Sequence, residues 1–516
     1  MDSSALKQHV VMGLLFYPRG GSAQVVRYLA TALTRRGVPI SLVSGSLGSP
    51  GDASHAHSFF GDLAVAAVDY TPATRAAQNG ADPLAAPVPL HPSYEDRPGA
   101  PDRILTAVSP HLAEHLVTAW QQILHRAIGH PAPIFHLHHL TFQHAAVERN
   151  WPARPIISHL HGTELAMLER IAERTAIAQA LGTTLADMPL LMQSRPARLR
   201  SHGLSARQQL LLTTTRWEQW RYGAFWTAHL RAAAQRSHRL IAPSAFVRTQ
   251  AIHLLGIDEA RVTVIPNGVD TAHFQPRTLS PTTTLTHLRR WLVDDPQGWD
   301  ERGVPGSVRY SPDDLCAFID PHDGTLYPIL LFVGRFVASK RVPLLIRAYR
   351  RARSAFRVPA PLLIWGGYPG EWEGEHPVTV ARGEGEDGVF FTGWRGHEEL
   401  ALGLNVSAVL VAPSVDEAFG LVYLEAMASG VTVIATQSGG PPAMINTDPE
   451  HPSGWLVPPD DEHALAAALV EAVNHPDERA RRAATAHRHV HDTFAWERIA
   501  AHVEQLYQDV RTSESV

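Results

Sequence analysis

The sequence is poor in cysteine and in lysine. The first shortage excludes certain kinds of site, and the second draws attention to the few lysines present. Cys316 is the single cysteine among 516 residues, which excludes an internal disulfide and a cysteine-rich metal site. Lys7 and Lys340 are the only lysines among 45 basic residues, so the internal Lys340 stands out as a candidate for a specific task. A formal net charge of −5 gives no overall basic surface for nucleic acid.

Long apolar runs are missing as well. No run reaches about 18 apolar residues, the length that a transmembrane helix needs. The opening residues 1–16 lack the charged start and the long apolar core of a signal peptide. We therefore expect a cytoplasmic protein. An apolar share of 45% over 516 residues is sufficient for two or more globular domains.

The N-terminal part predicts a strand, a glycine loop and a helix in succession. Residues 9–17 form an apolar run typical of a buried strand, and Gly20 and Gly21 follow it in a short loop. A helix is predicted from Ser22, as its N-cap, to Arg36, because apolar residues recur there at helical spacing. A start of this kind predicts a parallel sheet.

Short apolar runs predict further strands in both halves of the chain. They lie at Ile134–Leu137, Ile156–His159, Leu240–Ala242, Val262–Ile265, Ile329–Val333, Leu362–Trp365, Val389–Thr392, Ala408–Ala412, Val431–Ala435 and Trp455–Val457. Residues 71–103 are rich in Pro, Ala and Asp and predict a surface loop, whereas residues 165–238 are mainly helical in pattern. Residues 276–326 have little periodicity and predict an inter-domain connection that carries an insertion.

The pattern predicts an α/β protein with two Rossmann-like domains. We place the N-terminal, acceptor-side domain at residues 1–270, a linker with an insertion at 271–328, and the C-terminal, donor-binding domain at 329–490. A C-terminal helix at 491–516 is expected to cross back to the first domain. Two such domains facing across a cleft would present the carboxyl ends of their strands to a ligand.

The segment from Glu417 to Glu425 is the most informative motif. It follows the apolar run 408–412 and enters a helix-like stretch in which an unpaired glutamate would be costly. Eight residues of helix span about 12 Å, a length over which two carboxylates could accept from different parts of a nucleotide sugar. An ordinary amphipathic helix with a glutamate at its edge is the alternative interpretation.

A basic loop precedes this segment. Gly334 and Arg335 follow the predicted strand at Ile329–Val333, and Lys340 comes five residues after Arg335. Glycine lets the backbone approach a ligand closely, and the two cations could bind a diphosphate. A solvated basic loop is the alternative, although its position before the Glu417 segment favours a binding role.

Together these motifs resemble glycosyltransferase family 4, also called glycosyl transferases group 1. The resemblance covers most of the chain and is strongest in the C-terminal half. It is carried by Gly20-Gly21, His161-Gly162-Thr163-Glu164, Pro266-Asn267-Gly268-Val269-Asp270, Gly334-Arg335 with Lys340, and Glu417-x7-Glu425. Members are retaining enzymes with the GT-B fold, so a retaining hexosyltransferase is expected here. One departure is Ala443, which stands where members often have a glutamate after a glycine pair.

The resemblance implies a role for each matched residue. Arg335 and Lys340, after Gly334, would bind the donor diphosphate, and Glu417 would bind the donor sugar. Glu425 would bind the ribose. The remaining matched residues are His161 beside the sugar at the reacting centre, Gly20 and Gly21 in a loop that closes on donor and acceptor, Trp394 in a turn near the base, and the backbone N–H groups of Phe419, Gly420 and Leu421 at the diphosphate.

The resemblance also implies a front-face mechanism in which no carboxylate acts as a covalent nucleophile. The leaving phosphate oxygen would take the acceptor proton. No cofactor and no metal are expected, since cationic side chains and a helix N-terminus would balance the diphosphate charge. Domain closure would assemble the site.

A histidine cluster and a basic aromatic segment remain open to other interpretations. His136, His138 and His139 end a predicted strand, but neighbours in a strand point to opposite faces, so we predict no metal there. Residues 216–221 combine arginine with tryptophan and could touch a membrane surface. Packing of the aromatic rings inside the first domain is the favoured interpretation.

The expected partners are a nucleotide-sugar donor, with UDP first and GDP next, and a small-molecule or glycan acceptor. Three alternatives fit the same residues. The first is an enzyme of the same fold, such as a nucleotide-sugar epimerase or a pseudo-glycosidic coupling enzyme. The second is a catalytically silent protein that binds nucleotide sugars. The third is a peripheral membrane enzyme with a lipid acceptor.

Overall fold

The computed structural model describes residues 9–97, 101–128, 134–194, 203–383, 385 and 388–514. The chain divides into two compact units. Unit 1 is Met1–Pro266 together with Ile499–Val516, and unit 2 is Asn267–Arg498. Each unit contains its own parallel sheet with helices, so the predicted α/β fold with two Rossmann-like domains is confirmed. Lys7 lies outside the described residues.

Unit 1 is built on a sheet of seven described strands. They are β1 (Val10–Leu14), β2 (Ile40–Ser46), β3 (Val65–Asp69), β4 (Ile134–His138), β5 (Ile156–His159), β6 (Arg239–Ala242) and β7 (Val262–Val264), in the order β3-β2-β1-β4-β5-β6-β7. All neighbouring strands run parallel. The residues of β1, β4 and β5 are all buried, as expected for a sheet that is covered on both faces.

The helices of unit 1 connect these strands. They are α1 (Gly20–Arg35), α2 (Ala56–Phe60), α3 (Thr71–Gln78), α4 (Pro110–Ile128), α5 (Gln143–Asn150), α6 (Thr163–Ala180), α7 (Met188–Ser194), α8 (Ala206–Thr214), α9 (Gly223–Arg236) and α10 (Ala245–Leu255). The predicted N-cap Ser22 is wrong, because α1 begins at Gly20 with Arg19 in the N-cap position.

The predicted surface loop at 71–103 is also wrong in part. Its first eight residues form α3, in which proline occupies the first turn, a position where its missing N–H costs nothing. Leu84 and Tyr94 are buried farther along, and the Tyr94 hydroxyl donates to the Leu140 carbonyl oxygen at 2.6 Å. A composition rich in Pro and Ala concealed this packing.

The basic aromatic segment 216–221 packs its tryptophans inward. Trp217 and Trp220 are 4% and 3% exposed, and the Arg174 guanidinium lies 3.9 Å from the centre of the Trp220 ring. The rings are thus part of the interior of unit 1. No helix in the described part of the chain is long and apolar enough to cross a membrane.

Unit 2 contains a sheet of six described strands. They are β8 (Leu330–Gly334), β9 (Leu362–Gly366), β10 (Val389–Gly393), β11 (Val409–Ala412), β12 (Thr432–Thr436) and β13 (Gly454–Val457), in the order β10-β9-β8-β11-β12-β13. The helices are α11 (Pro281–Arg289), α12 (Val342–Arg353), α13 (Pro377–Gly383), α14 (His397–Asn405), α15 (Leu421–Ala428), α16 (Glu462–Asn474) and α17 (Pro476–Thr493). A final helix, α18 (Trp496–Glu514), begins in unit 2 and continues in unit 1.

Residues 276–326 belong to unit 2. Trp291 and Phe318 are fully buried in the same apolar cluster as Leu331 of β8 and Leu363 of β9. The segment therefore contributes to the core of unit 2, through aromatic side chains that show little periodicity in the sequence.

The C-terminal helix returns to unit 1, as predicted. The Tyr507 hydroxyl and Nδ1 of His136 share a hydrogen bond of 2.7 Å, and both side chains are buried. Arg36, at the end of α1, donates to Glu504 at 2.7 Å. These contacts place α18 against β4 and α1.

The strand order of each sheet reverses at one point. In unit 1 the first strand, β1, lies between β2 and β4, and in unit 2 the first strand, β8, lies between β9 and β11. The loops after the two strands at such a point leave in opposite directions, which opens a crevice at the carboxyl edge of the sheet. The predicted site residues of unit 2 lie at the end of β8 or after β8 and β11, except Trp394, which follows β10.

Candidate active site

Lys340 and Glu417 meet at the switch point of the unit 2 sheet. Lys340 ends a 3₁₀ turn after β8, and Glu417 lies in the loop between β11 and α15. The Lys340 ammonium forms an ion pair with Oε2 of Glu417, and the two side chains are 23% and 19% exposed. Both residues were predicted to bind parts of a donor, and in the structure they contact each other directly.

Two glycines fix the backbone of Glu417. The Gly440 N–H donates to the Glu417 carbonyl oxygen at 2.7 Å. Gly439 has a φ of +72°, and a Cβ atom there would overlap the Glu417 backbone. Only glycine fits this position without displacement of the loop. The glycine pair therefore fixes the backbone from which the Glu417 side chain extends.

Glu425 is buried in α15 with a partner that the sequence did not predict. Its side chain is 9% exposed, and its Oε1 shares a hydrogen bond of 2.9 Å with Nε2 of His397. His397 is the first residue of α14. The costly buried carboxylate is thus compensated by an imidazole as well as by any ligand hydroxyl.

The other predicted residues of unit 2 lie on the same carboxyl edge. Gly334 is the last residue of β8, and Arg335 follows it and is half-buried. Gly420 has a φ of +93° and caps α15, which begins at Leu421. The helix N-terminus therefore directs backbone N–H groups, which favour anions, toward this edge. The Phe419 ring is 3% exposed and belongs to the core.

Trp394 lies apart from the Lys340–Glu417 pair, directly after β10. Its ring is 44% exposed, and its centre lies 5.7 Å from that of Tyr368. Gly393 before it has a φ of +74°. An exposed indole at the carboxyl edge of a sheet is suited to contact with a flat ligand group.

The predicted residues of unit 1 follow two strands of its sheet, β1 at the switch point and β5 two places away. Gly20, with a φ of +71°, opens α1 after β1, and Gly21 follows it in the helix; both are exposed. A Cβ atom at Gly20 would meet no atom within 4 Å, so the loop has open space beside it. His161 follows β5, just before α6.

His161 is held by neighbouring polar groups. Its Nε2 and Nδ1 of His138 share a hydrogen bond of 3.0 Å, and its backbone N–H donates to Oε1 of Glu164 at 3.1 Å. Burial and the nearby imidazoles of His139 and His159 hold the pKa of His161 well below its usual range. The imidazole is therefore neutral at physiological pH.

Glu164 links His161 to a second histidine. Its carboxylate is fully buried, and Oε2 lies 3.2 Å from Nδ1 of His139. Burial alone would raise the pKa of Glu164, but the His139 imidazole and the hydrogen bonds hold it below its usual range. One carboxylate thus bonds both to the His161 backbone and to the His139 ring.

The histidine cluster differs from the predicted one. Nitrogen atoms of His136, His138 and His159 lie within 4.8 Å of one another, and all three residues are buried. Their rings are nearly parallel, at interplanar angles of 7° to 18°. His139, at a φ of +66°, turns away to Glu164. Within the described residues, His136, His138 and His159 are the group that could hold a metal. The absence of a bound metal stays a prediction.

Sequence reasoning missed His159, His397 and Tyr368. His159 faces His138 across β5 and β4, a pairing that depends on strand register. His397 lies 28 residues before Glu425, and only the tertiary fold brings them together. A histidine at the start of a helix after the Trp394 turn is a weak signal that could have drawn attention to it.

Comparison with known families covers both units. The profile described as Glycosyltransferase Family 4 matches residues 19–273, and that described as Glycosyl transferases group 1 matches residues 327–475. The matched ranges include all of the predicted site residues. One profile therefore falls on each sheet.

Two curated relatives show where the sequence similarity lies. A D-inositol 3-phosphate glycosyltransferase of Corynebacterium urealyticum is 31% identical over 232 residues, covering 44% of this chain and 53% of the relative. An alpha-maltose-1-phosphate synthase of Mycolicibacterium smegmatis is 29% identical over 296 residues, covering 54% and 65%. The chain spans about half the length of the curated relatives that it matches.

Two solved structures share the fold. The catalytic domain of starch synthase IV from Arabidopsis thaliana, bound to ADP and acarbose, aligns at a TM-score of 0.61 with 15% identity, covering 98% of this chain and 99% of that chain. Anabaena HepE in complex with UDP and glucose aligns at 0.56 with 15% identity, covering 97% and 99%. At this identity the likeness concerns the fold alone.

Proposed function

The chain belongs to glycosyltransferase family 4, and on this premise we propose that it transfers a hexose from a nucleotide diphosphate sugar to an acceptor hydroxyl with retention of configuration. The observation that carries the proposal is the Lys340–Glu417 pair at the switch point of unit 2. A cation for the diphosphate and an acceptor for sugar hydroxyls stand side by side there, next to the N-terminus of α15.

Each part of the donor has a matching group in unit 2. Lys340 and Arg335 bind the diphosphate, together with backbone N–H groups at the start of α15. Glu417 accepts from hydroxyls of the transferred sugar, and Glu425 accepts from the ribose. UDP is the favoured nucleotide and GDP the next.

The proposed reaction exchanges one bond at the anomeric carbon for another. The bond to the leaving phosphate oxygen breaks, and the acceptor oxygen bonds to the same face of the sugar. The acceptor proton passes to the leaving phosphate oxygen. Lys340, Arg335 and the helix N-terminus stabilise the negative charge that develops on the diphosphate, so no covalent nucleophile is required.

We propose that no cofactor and no metal take part in this step. Two cationic side chains and the end of a helix dipole supply positive charge where a metal would otherwise supply it. His161 acts as a neutral hydrogen-bonding group beside the sugar, in keeping with its lowered pKa. The acceptor is a hydroxylated small molecule or a glycan, as the names of the two curated relatives favour.

The direct test begins with the choice of donor. Thermal shift with UDP-, GDP- and ADP-sugars identifies the nucleotide, and release of the nucleoside diphosphate then reports turnover against an acceptor panel. Lys340→Ala should lower kcat about 100-fold or more, in the range found when a transition-state donor is removed. Glu425→Ala should mainly raise the KM for the donor.

A matched control uses another cation of unit 2, at the opposite end of α12 from Lys340. Arg351, on α12, pairs with Glu462 at 3.0 Å on the surface, and Arg351→Ala should leave turnover unchanged. Full activity of both Lys340→Ala and Glu425→Ala would contradict the residue assignments. Donor binding without turnover would indicate a silent binding protein, and a changed free sugar without a new glycoside would indicate an epimerase.

A further inference from the structure

Tyr368 and Trp394 form an exposed aromatic pair on unit 2. Their rings are 42% and 44% exposed and their centres lie 5.7 Å apart at an angle of 66°. Tyr368 follows β9 and Trp394 follows β10, two adjacent strands of the sheet. Two exposed aromatic rings next to each other at the carboxyl edge of a sheet form a surface that a flat ligand group can contact.

The 291–299 segment is attached to the chain immediately before each ring. The Trp299 indole N–H donates to the carbonyl oxygen of Gly367 at 2.9 Å, next to Tyr368. Gln297 forms a parallel β-bridge with Gly393, next to Trp394. A Cβ atom at Gly393 would overlap the Gln297 backbone, so the two strands of chain pack in direct contact.

Arg395 links the same segment to the loop that carries Trp394 through hydrogen bonds. Its side chain is 4% exposed, and it donates to Oδ2 of Asp295 at 3.0 Å, to the Asp295 carbonyl oxygen at 2.5 Å and to the Trp291 carbonyl oxygen at 3.1 Å. A buried guanidinium needs these partners, so the loop cannot leave the segment without exposing the charge.

The position of the pair relative to Glu425 indicates its ligand. His397, which bonds to Glu425, follows Trp394 by three residues, so their Cα atoms lie at most about 11 Å apart. Under the proposed function Glu425 binds the ribose. In a nucleotide the flat base is attached to that ribose, and an aromatic ring offers it a stacking surface.

We infer that residues 291–299 hold Tyr368 and Trp394 in position for the donor base, and thereby determine how tightly the nucleotide binds. The inference rests on the proposed function. Asp295, Gln297 and Trp299 act as positioning residues: they do not touch the donor but keep the rings ordered before it arrives. A ring that is already ordered loses little freedom on binding, which strengthens the complex.

The test compares a ligand that has a base with one that has none. Calorimetry measures the Kd of UDP, or of the GDP or ADP that binds best, and of inorganic pyrophosphate. Trp394→Ala should weaken nucleotide binding about 5- to 150-fold, the range of base stacking on an aromatic ring. Asp295→Ala should weaken it about 3- to 10-fold, and Asp295→Asn, which keeps an acceptor for Arg395, should restore most of the affinity.

Two controls separate positioning from general damage. Pyrophosphate should bind all variants equally. Asp294→Ala should leave the nucleotide affinity unchanged, because the Asp294 carboxylate pairs with Arg289 at the surface. In turnover assays Asp295→Ala should raise the donor KM and leave kcat unchanged.

The outcomes are distinct. If Trp394→Ala weakens nucleotide binding but Asp295→Ala does not, the segment is not a positioning element. If both variants bind nucleotide as the wild type does, the aromatic pair does not contact the base, and an altered KM for the acceptor would assign it to that substrate. A wild-type protein that binds no nucleoside diphosphate overturns the proposed function and this inference together.

Discussion

The Lys340 ammonium is paired with the Glu417 carboxylate, 77 residues farther along the chain. Lys340 follows β8, the first strand of the unit 2 sheet. Glu417 follows β11, the neighbour of β8 across the switch point. Under the proposed function, a donor must therefore replace this ion pair with contacts of its own. Its diphosphate competes with Glu417 for Lys340, and its sugar hydroxyls replace Lys340 at Glu417.

Glu417→Gln should separate the two halves of the donor. The variant removes the charge that competes for Lys340, so UDP should bind about 3- to 10-fold more tightly, as expected for an ion pair worth about 1 kcal/mol. The UDP-sugar should gain less, and kcat should fall, since the amide is a weaker acceptor for sugar hydroxyls. Calorimetry with both ligands measures the difference. Glu462→Gln, at the Arg351 pair, serves as the control, and unchanged UDP affinity in Glu417→Gln would refute the competition.

Gly439→Ala should cause a large loss of turnover and a comparatively small decrease in melting temperature. A methyl group at this position would overlap the Glu417 backbone at a φ of +72°, so the carboxylate must move. Gly324 has a similar φ of +75° with no atom within 4 Å of its Cβ position, so Gly324→Ala carries only the backbone cost, about 1 kcal/mol. Turnover and the melting temperature of both variants test this. Equal activity in the two would show that the loop tolerates displacement.

The stability of the protein should fall as the pH drops below about 6.5. Burial lowers the pKa of His144 to about 3 and that of His91 to about 4, whereas both titrate near 6.5 in the unfolded chain. The unfolded state therefore binds more protons below pH 6.5, and each such histidine costs up to about 1.4 kcal/mol per pH unit there.

His144→Gln isolates one of these groups. The slope of unfolding free energy against pH between 6.5 and 4.5 should decrease by about one proton, whatever the variant does to stability at pH 7. The matched control variant is His463→Gln, at an exposed site. Urea unfolding at constant ionic strength gives the slopes. Identical slopes in the wild type and His144→Gln would mean that His144 is protonated in the folded state.

Tyr507→Phe should destabilise unit 1 by about 1–3 kcal/mol, because it leaves Nδ1 of the buried His136 without its hydrogen-bond partner. Gln508→Ala, on the exposed side of the same helix, should change stability by less than about 0.5 kcal/mol. Urea unfolding followed by circular dichroism compares the two. A Tyr507→Phe variant as stable as the wild type would show that the contact contributes little.

Local pattern predicted most of the fold and the loops of the site, whereas the partners within the site required the tertiary structure. The run 329–333 predicted β8 to within one residue, because a buried parallel strand is a continuous apolar run. The motif predicted Glu425, but its partner His397 lies on another helix. His159 joined the cluster through strand register, which no single run encodes. Trp291 and Trp299 were concealed in a segment without periodicity, since their packing is entirely long-range.

The return of α18 to unit 1 affects the order in which the protein can fold during synthesis. His136 and Tyr507 are 371 residues apart, and the whole of Asn267–Arg498 is translated between them. Every residue of unit 2 is therefore synthesised before the part of α18 that covers His136. Domains usually fold in the order of their synthesis, but unit 1 cannot form the contact between His136 and Tyr507 until the whole of unit 2 has been synthesised.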